Sequence, residues 1–167
     1  VKVSEYGDPN PDYILDVGSS GDGTRIALGI VNQGFTAFIN GVNANMFNVN
    51  AVSDNTSDWI YVVLSWSGTD FARMYIDGNL AGETNDILTE TLSLESGDVF
   101  NIGKRYAGGN YINSILDEVS VWDRALTEEE VQNYYGHALS GYENGLIAHY
   151  NFNESSGDTL FDATGYG

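Results

Sequence analysis

Apolar and polar positions alternate in short runs along most of this chain. Tyr13–Val17, Arg25–Val31 and Phe35–Ile39 are β-branched, aromatic or apolar, as are Trp59–Ser67, Arg73–Ile76, Leu80–Gly82, Val99–Gly103 and Ile112–Trp122. Each run is a strand length and is closed by turn chemistry. Gly18–Thr24 and Ser53–Asp58 are polar connections, and Asn40–Gly41 and Asp77–Gly78 suit tight hairpins whose central residues both need positive φ. Strands this short and this regularly spaced predict an all-β, antiparallel two-sheet sandwich rather than an alternating α/β fold.

The pattern changes period once. Thr127 stands three residues before Glu130, a capping box, with Leu126 and Val131 at the staple positions around it. Glu128 and Glu129 fall in the first turn, where the helix dipole favours negative charge, and Gly136 offers a stop. One short helix is therefore predicted near residues 127–135. After the polar stretch Gly136–Asn144 comes a further strand, Leu146–Phe152, and then a Gly-, Ser-, Thr- and Asp-rich tail over Asn153–Gly167 that reads as loop.

Composition narrows the function classes. A chain of 167 residues with 42% hydrophobic and 13% aromatic content buries a core without staples. With no cysteine it has no disulfide, thiolate metal site or Cys nucleophile. Six basic against 24 acidic residues give a net charge of -18, which repels nucleic-acid phosphates and anionic lipid, so neither is an expected partner. No apolar run is long enough to predict membrane insertion by a helix. The first residue is Val1 rather than Met, which reads as a mature, processed or partial chain.

Two segments carry a family resemblance. Ile115–Tyr135, ILDEVSVWDRALTEEEVQNYY, resembles the closing segment of the laminin-G-like (concanavalin-A-like) jelly-roll domains of bacterial surface and secreted proteins. Upstream, the Trp59–Val63 strand, the MYIDG hairpin at Met74–Gly78 and the NIG strand at Asn101–Gly103 resemble the same family. The second segment, Asn144–Gly165, is similar to the opening of such a domain, yet it stands near the end of this chain, while the front lacks its own copy. The expected organisation is thus residues 1–143 as a jelly roll lacking its usual first strand, with 144–167 folding back to complete it. The other arrangement has 144–167 as the start of a following repeat.

The resemblance implies one site, and the residues themselves suggest another. A structural calcium ion would use Asp117 and Asp162 with carbonyls near Gly157 and Gly165; otherwise Asp162 caps a turn and Asp117 pairs with an arginine or water. A sugar site would use the glycine-flexible loop Lys104–Tyr111, with Arg105, Tyr106, Asn110 and Tyr111 as ligand-binding residues, two of the six basic side chains lying there; otherwise it is a variable loop with ordinary surface tyrosines. Trp66 is either a platform for the same ligand or a core residue, because alternation alone does not fix the register.

No catalytic residues are expected. The retaining glycosidases of related sandwiches need two carboxylates about 5 Å apart on one strand face. Their Glu-x-Asp-x-x-Glu spacing does not occur here, and Asp117 and Glu118 are adjacent, so on a strand they face opposite ways. His137 and His149 form no metalloprotease-like pair, and His149 reads as packed inside a strand. The resemblance therefore implies a non-catalytic extracellular module, secreted or on the cell surface, binding a glycan or cell-surface ligand. The other reading is a structural repeat or spacer whose partners are neighbouring copies of the domain.

Overall fold

The computed structural model describes residues 1–4, 10, 12–18, 25–32, 34–39, 47–49, 58–68, 70–85, 98–105 and 108–166. The predicted turn at Asn40–Gly41, most of the Gly18–Thr24 and Ser53–Asp58 connections, and Tyr106 lie outside those residues.

The described elements are β1 (Lys2–Val3), β2 (Asp12–Gly18), β3 (Arg25–Val31), β4 (Gly34–Ile39), β5 (Phe47–Val49), β6 (Val62–Trp66), β7 (Ala72–Ile76), β8 (Asn79–Thr84), β9 (Val99–Ile102), β10 (Ser114–Ile115), β11 (Val119–Trp122), α1 (Glu128–Tyr134) and β12 (Leu146–Tyr150). Every pairing is antiparallel. The larger sheet runs β5-β4-β3-β2-β9 and the smaller β6-β7-β8, with the pairs β1-β10 and β11-β12 beside them. The predicted two-sheet sandwich with one short helix is the observed architecture.

Alternation decides which side chains meet. Phe35, Ala37 and Ile39 of β4 are buried inward, as are Leu28 and Ile30 of β3. Met74 and Ile76 answer from β7, and Val3, Ile14 and Ile60 close the same cluster. The smaller sheet has a second apolar face. Tyr75 is buried there with Leu126 and Val131, flanked by Tyr61, Val63, Trp122 and Tyr134. Helix α1 thus covers the outside of β6-β7-β8, and the Ser65 hydroxyl donates to the Leu126 carbonyl at 2.9 Å. The capping box forms as its sequence requires: Thr127 Oγ1 accepts from the Glu130 amide at 3.2 Å, and the Glu130 carboxylate accepts from the Thr127 amide at 2.9 Å. Between β7 and β8, Asp77 (φ 49°) and Gly78 (φ 77°) make the predicted hairpin turn, both in the left-handed region.

Two strands, β1 and β5, carry too few residues for their pattern to stand out. A larger difference lies at Ile112–Trp122. Instead of one strand, β10 and β11 are separated by Leu116–Glu118, and Glu118 is left-handed at φ 52°. The alternation argument for Asp117 and Glu118 therefore does not apply, because neither sits in a ladder. The reason is local: the Asp117 carboxylate accepts the Glu118 amide at 3.0 Å, and Glu118 reaches across to His149 at 2.7 Å. Both contacts turn the chain out of the extended conformation.

Strand β12 pairs with β11 of the same chain, Val119 opposite Tyr150 and Trp122 opposite Leu146. Its outward edge is closed by the tail. The His149 amide donates to Asp162 Oδ1 at 3.0 Å and its carbonyl accepts from the Ala163 amide at 2.7 Å, which removes a free pairing edge at that position. Arg124 ties the start of β12 to the helix, donating to the Asn144 carbonyl at 2.9 Å and gripping Glu130 through both terminal nitrogens at 2.9 and 2.7 Å.

Candidate functional site: the rim loop after strand β9

The loop from Gly103 to Ile112 is built from its ends inward. Its mouth is closed by the Ile112 amide on the Gly103 carbonyl at 2.9 Å. The Gly103 amide donates in turn to the Ile14 carbonyl at 2.9 Å, and the Tyr13 amide donates to the Asn110 carbonyl at 3.4 Å. Both ends of the loop are thereby fixed to β2. Inside it, the Gly108 amide donates to the Arg105 carbonyl at 3.0 Å. Gly108, Gly109 and Asn110 are all left-handed, at φ 79°, 75° and 46°. Three consecutive residues in that region are why the sequence spends two glycines and an asparagine here.

The loop displays polar and aromatic groups. Tyr111 is 67% exposed, Lys104 is exposed, and Arg105 and Asn110 are half-buried. Of the five sequence-predicted ligand residues, Arg105, Asn110 and Tyr111 fall on the described parts of this loop, and Tyr106 lies outside the described residues. Trp66 is not brought to them. It lies on the core side of β6, packed on Ile39 and Ala72, and its indole N–H is committed to the Gly68 carbonyl at 2.6 Å. Ile39 is in register with Ile26 and Val17, whereas the loop is anchored at Tyr13 and Ile14. Three or four residues along a strand separate them, about 10 Å or more.

Behind the loop is a feature that sequence reasoning missed. Thr36 lies between the inward-facing Phe35 and Ala37, so it faces away from the apolar core, and Asp16, opposite Ala27 and Asn101, does the same. These three polar residues are buried, Asp16 and Thr36 fully so. The rings of Tyr13 and Phe38 pack nearby, 5.8 Å apart. Buried polar groups cost free energy unless they are hydrogen-bonded. The Asn101 side-chain amide donates to the Asp16 carbonyl at 3.5 Å, on the strand that anchors the loop. A carboxylate flanked by Leu15 and Val17 in mid-strand was the available signal.

The residues named for calcium make local contacts of their own. Asp162 Oδ1 accepts from the His149 amide at 3.0 Å, the Thr164 amide at 2.9 Å and the Thr164 hydroxyl at 2.8 Å. The Asp162 carbonyl accepts the Gly165 amide at 3.3 Å. That is a side-chain-capped turn. Asp117 holds the Glu118 amide, and Gly157 lies at φ 110° in the tail. Among the described residues no three of His, Cys, Asp or Glu gather as a metal-binding group. Calcium takes roughly six to eight oxygens, so an ion at Asp162 would share its carboxylate with these donors.

A family model described as the concanavalin A-like lectin/glucanase superfamily (laminin G type) matches residues 1–132. The chain belongs to that superfamily. Its fold is also that of two solved structures. A proposed carbohydrate-binding protein from Bacteroides ovatus superposes with a TM-score of 0.71 at 19% identity, over 96% of this chain and 48% of that one. A heptameric SAP-like pentraxin from Limulus polyphemus gives 0.65 at 19% identity, over 95% and 75%. Among curated proteins, a stretch of 95 residues, 54% of this lectin-like chain, is 27% identical to botulinum neurotoxin type E of Clostridium botulinum and of Clostridium butyricum. It spans 7% of the toxin's length. No helix among the described residues is long and apolar enough to cross a membrane.

Proposed function

We propose that this concanavalin A-like domain is a non-catalytic glycan-binding module of a secreted or surface protein, and that it holds its ligand at the Lys104–Tyr111 loop. The observation that carries the reading is the loop's construction: hydrogen bonds at both ends fix it to β2 while Tyr111 and Lys104 stay exposed on it. An aromatic ring on an anchored backbone stacks on a sugar face at lower entropic cost, and Asn and Arg side chains on the same loop grip hydroxyls. Arg105 and Lys104 concentrate positive charge in a chain of net charge -18, which favours glycans bearing carboxylate or sulfate. The like-folded structure from Bacteroides ovatus, described as a proposed carbohydrate-binding protein, supports the ligand class. Against catalysis stands the missing Glu-x-Asp-x-x-Glu spacing.

The test is a glycan array probed with wild type, Tyr111→Ala and Arg105→Ala, each in calcium and in chelator. Hits lost in both variants, with unchanged melting temperatures, support the site. Hits unchanged in both variants place binding elsewhere, and an array blank for the wild type overturns the function. Hits that depend on calcium and vanish in Asp117→Ala or Asp162→Ala would support a structural ion.

A further inference from the structure

The turn that leads into β12 carries a reactive pair. Asn144 and Gly145 are its central residues, and the Leu146 amide closes it on the Glu143 carbonyl at 3.1 Å. Asn144 is exposed, and its side-chain amide makes no hydrogen bond among the described residues. The neighbouring Glu143 carboxylate is committed elsewhere, accepting from the Ser140 amide and hydroxyl and from the Gly141 amide. The Gly145 amide likewise has no acceptor among the described residues. With no Cβ, and at φ 85°, Gly145 leaves its backbone nitrogen unshielded. A free asparagine amide one residue before such a nitrogen is placed for cyclisation, because a five-membered ring holds the two reacting groups together.

Two charged side chains between β11 and α1 stand against this pair. Arg124 Nε donates to the Asn144 carbonyl at 2.9 Å. Electron density drawn to that oxygen makes the Gly145 N–H, which shares the peptide group, more acidic. The Asp123 amide donates to the Gly145 carbonyl at 2.9 Å, and Asp123 Oδ1 lies 2.8 Å from where a Gly145 Cβ would stand. A carboxylate at that place serves as the base for the amide proton. We infer that Asn144 is a self-modification site, at which Arg124 and Asp123 assist attack of the Gly145 nitrogen on Asn144 Cγ. The nitrogen gives up its proton and bonds to Cγ, the Cγ–Nδ2 bond breaks, and the departing nitrogen takes the proton and leaves as ammonia. Water then opens the succinimide at either carbonyl, giving aspartate or isoaspartate. Either product adds a negative charge beside Asp123. Isoaspartate also lengthens the backbone by a methylene and moves the carbonyl that Arg124 holds, so the tie between α1 and β12 loosens. This site is independent of the loop proposed above.

Peptide mapping by mass spectrometry tests it on the full chain, kept folded at neutral pH and physiological temperature for several weeks. Asn144 gains the mass of an amide-to-acid exchange, and labelling by an isoaspartyl methyltransferase detects isoaspartate there. Arg124→Gln and Asp123→Ala each slow the conversion about threefold or more, and Asp123→Ala carries the test where Arg124→Gln does not fold. Aged wild type is cut faster by protease over residues 145–166. Asn144→Gln, whose longer side chain closes a ring slowly, acquires no such change on storage. Asn144 intact after that time overturns the proposal. So do Arg124→Gln and Asp123→Ala chains that convert as fast as wild type, and an unchanged digestion pattern in the converted chain refutes the loosening of β12.

Discussion

Replacing Glu130 with Ala removes the point at which helix, closing strand and return strand are tied together. Its Oε2 accepts from the Thr127 amide at 2.9 Å, the Thr127 hydroxyl at 3.0 Å and Arg124 at 2.9 Å, and Oε1 accepts from Arg124 at 2.7 Å. Losing the reciprocal cap costs about 1 kcal/mol. The bidentate pair is partly exposed, 29% at each side chain, so solvent screening limits it to about 1 kcal/mol more. A total near 2 kcal/mol lowers the melting temperature of a domain this size by about 4–8 °C. The pH dependence adds a sharper test. Arg124 first, then the Thr127 amide, holds the Glu130 carboxyl down at about 2, against its ordinary 4.5. The folded state binds that proton less readily than the unfolded state. Its contribution is therefore complete above about pH 4.5 and is lost as pH falls toward about 2. Thermal unfolding followed by circular dichroism should show a constant gap between wild type and Glu130→Ala from about pH 5 to 8, narrowing at about pH 3.5. A gap under about 1 °C at neutral pH, or one that does not narrow in acid, refutes the reasoning.

Three further outcomes are expected. Gly145→Ala should destabilise by about 2 kcal/mol or more in a denaturant melt: the residue is at φ 85°, and an added Cβ would stand 2.8 Å from both Arg124 Nε and Asp123 Oδ1. A midpoint within error of wild type would show that the Arg124 tie yields at little cost. Asp162→Ala removes the acceptor of three hydrogen bonds and should cost about 1–3 kcal/mol. Limited proteolysis should then cut residues 151–166 faster, and an unchanged digestion pattern contradicts the turn's role in closing the β12 edge. Because Asp162 is engaged in that turn, calcium or chelator should move the wild-type melting temperature by less than about 1 °C. A rise of several degrees that Asp162→Ala abolishes would make Asp162 an ion ligand.

Local chemistry was legible in the sequence wherever the signal and its consequence lie within a few residues. The Thr127–Glu130 box and the Asp77–Gly78 turn formed as read, because each is decided by sterics and hydrogen bonds inside four or five residues. Strands β2, β3, β4 and β7 fell within a residue or so of their predicted bounds for the same reason. The loop Lys104–Tyr111 was also visible, as a glycine pair between basic and aromatic residues. Its anchoring to Tyr13 and Ile14, some 90 residues earlier, was not.

The sequence by itself determined an antiparallel sandwich, its one helix, and a chain without the carboxylate spacing of related glycosidases. Only the tertiary structure decided which faces those strands present. Trp66 turned inward because Ile39 and Ala72 stand opposite it, and Asp16 and Thr36 turned away from the apolar core because their neighbours face it. Asp162 became a turn cap because the return strand places the His149 amide beside it. The break at Leu116–Glu118 likewise depends on His149, 31 residues from Glu118. The physical reason is common to all four. An alternating pattern has two equivalent faces, and a carboxylate has no preferred partner until register and sheet packing bring distant groups within hydrogen-bonding reach.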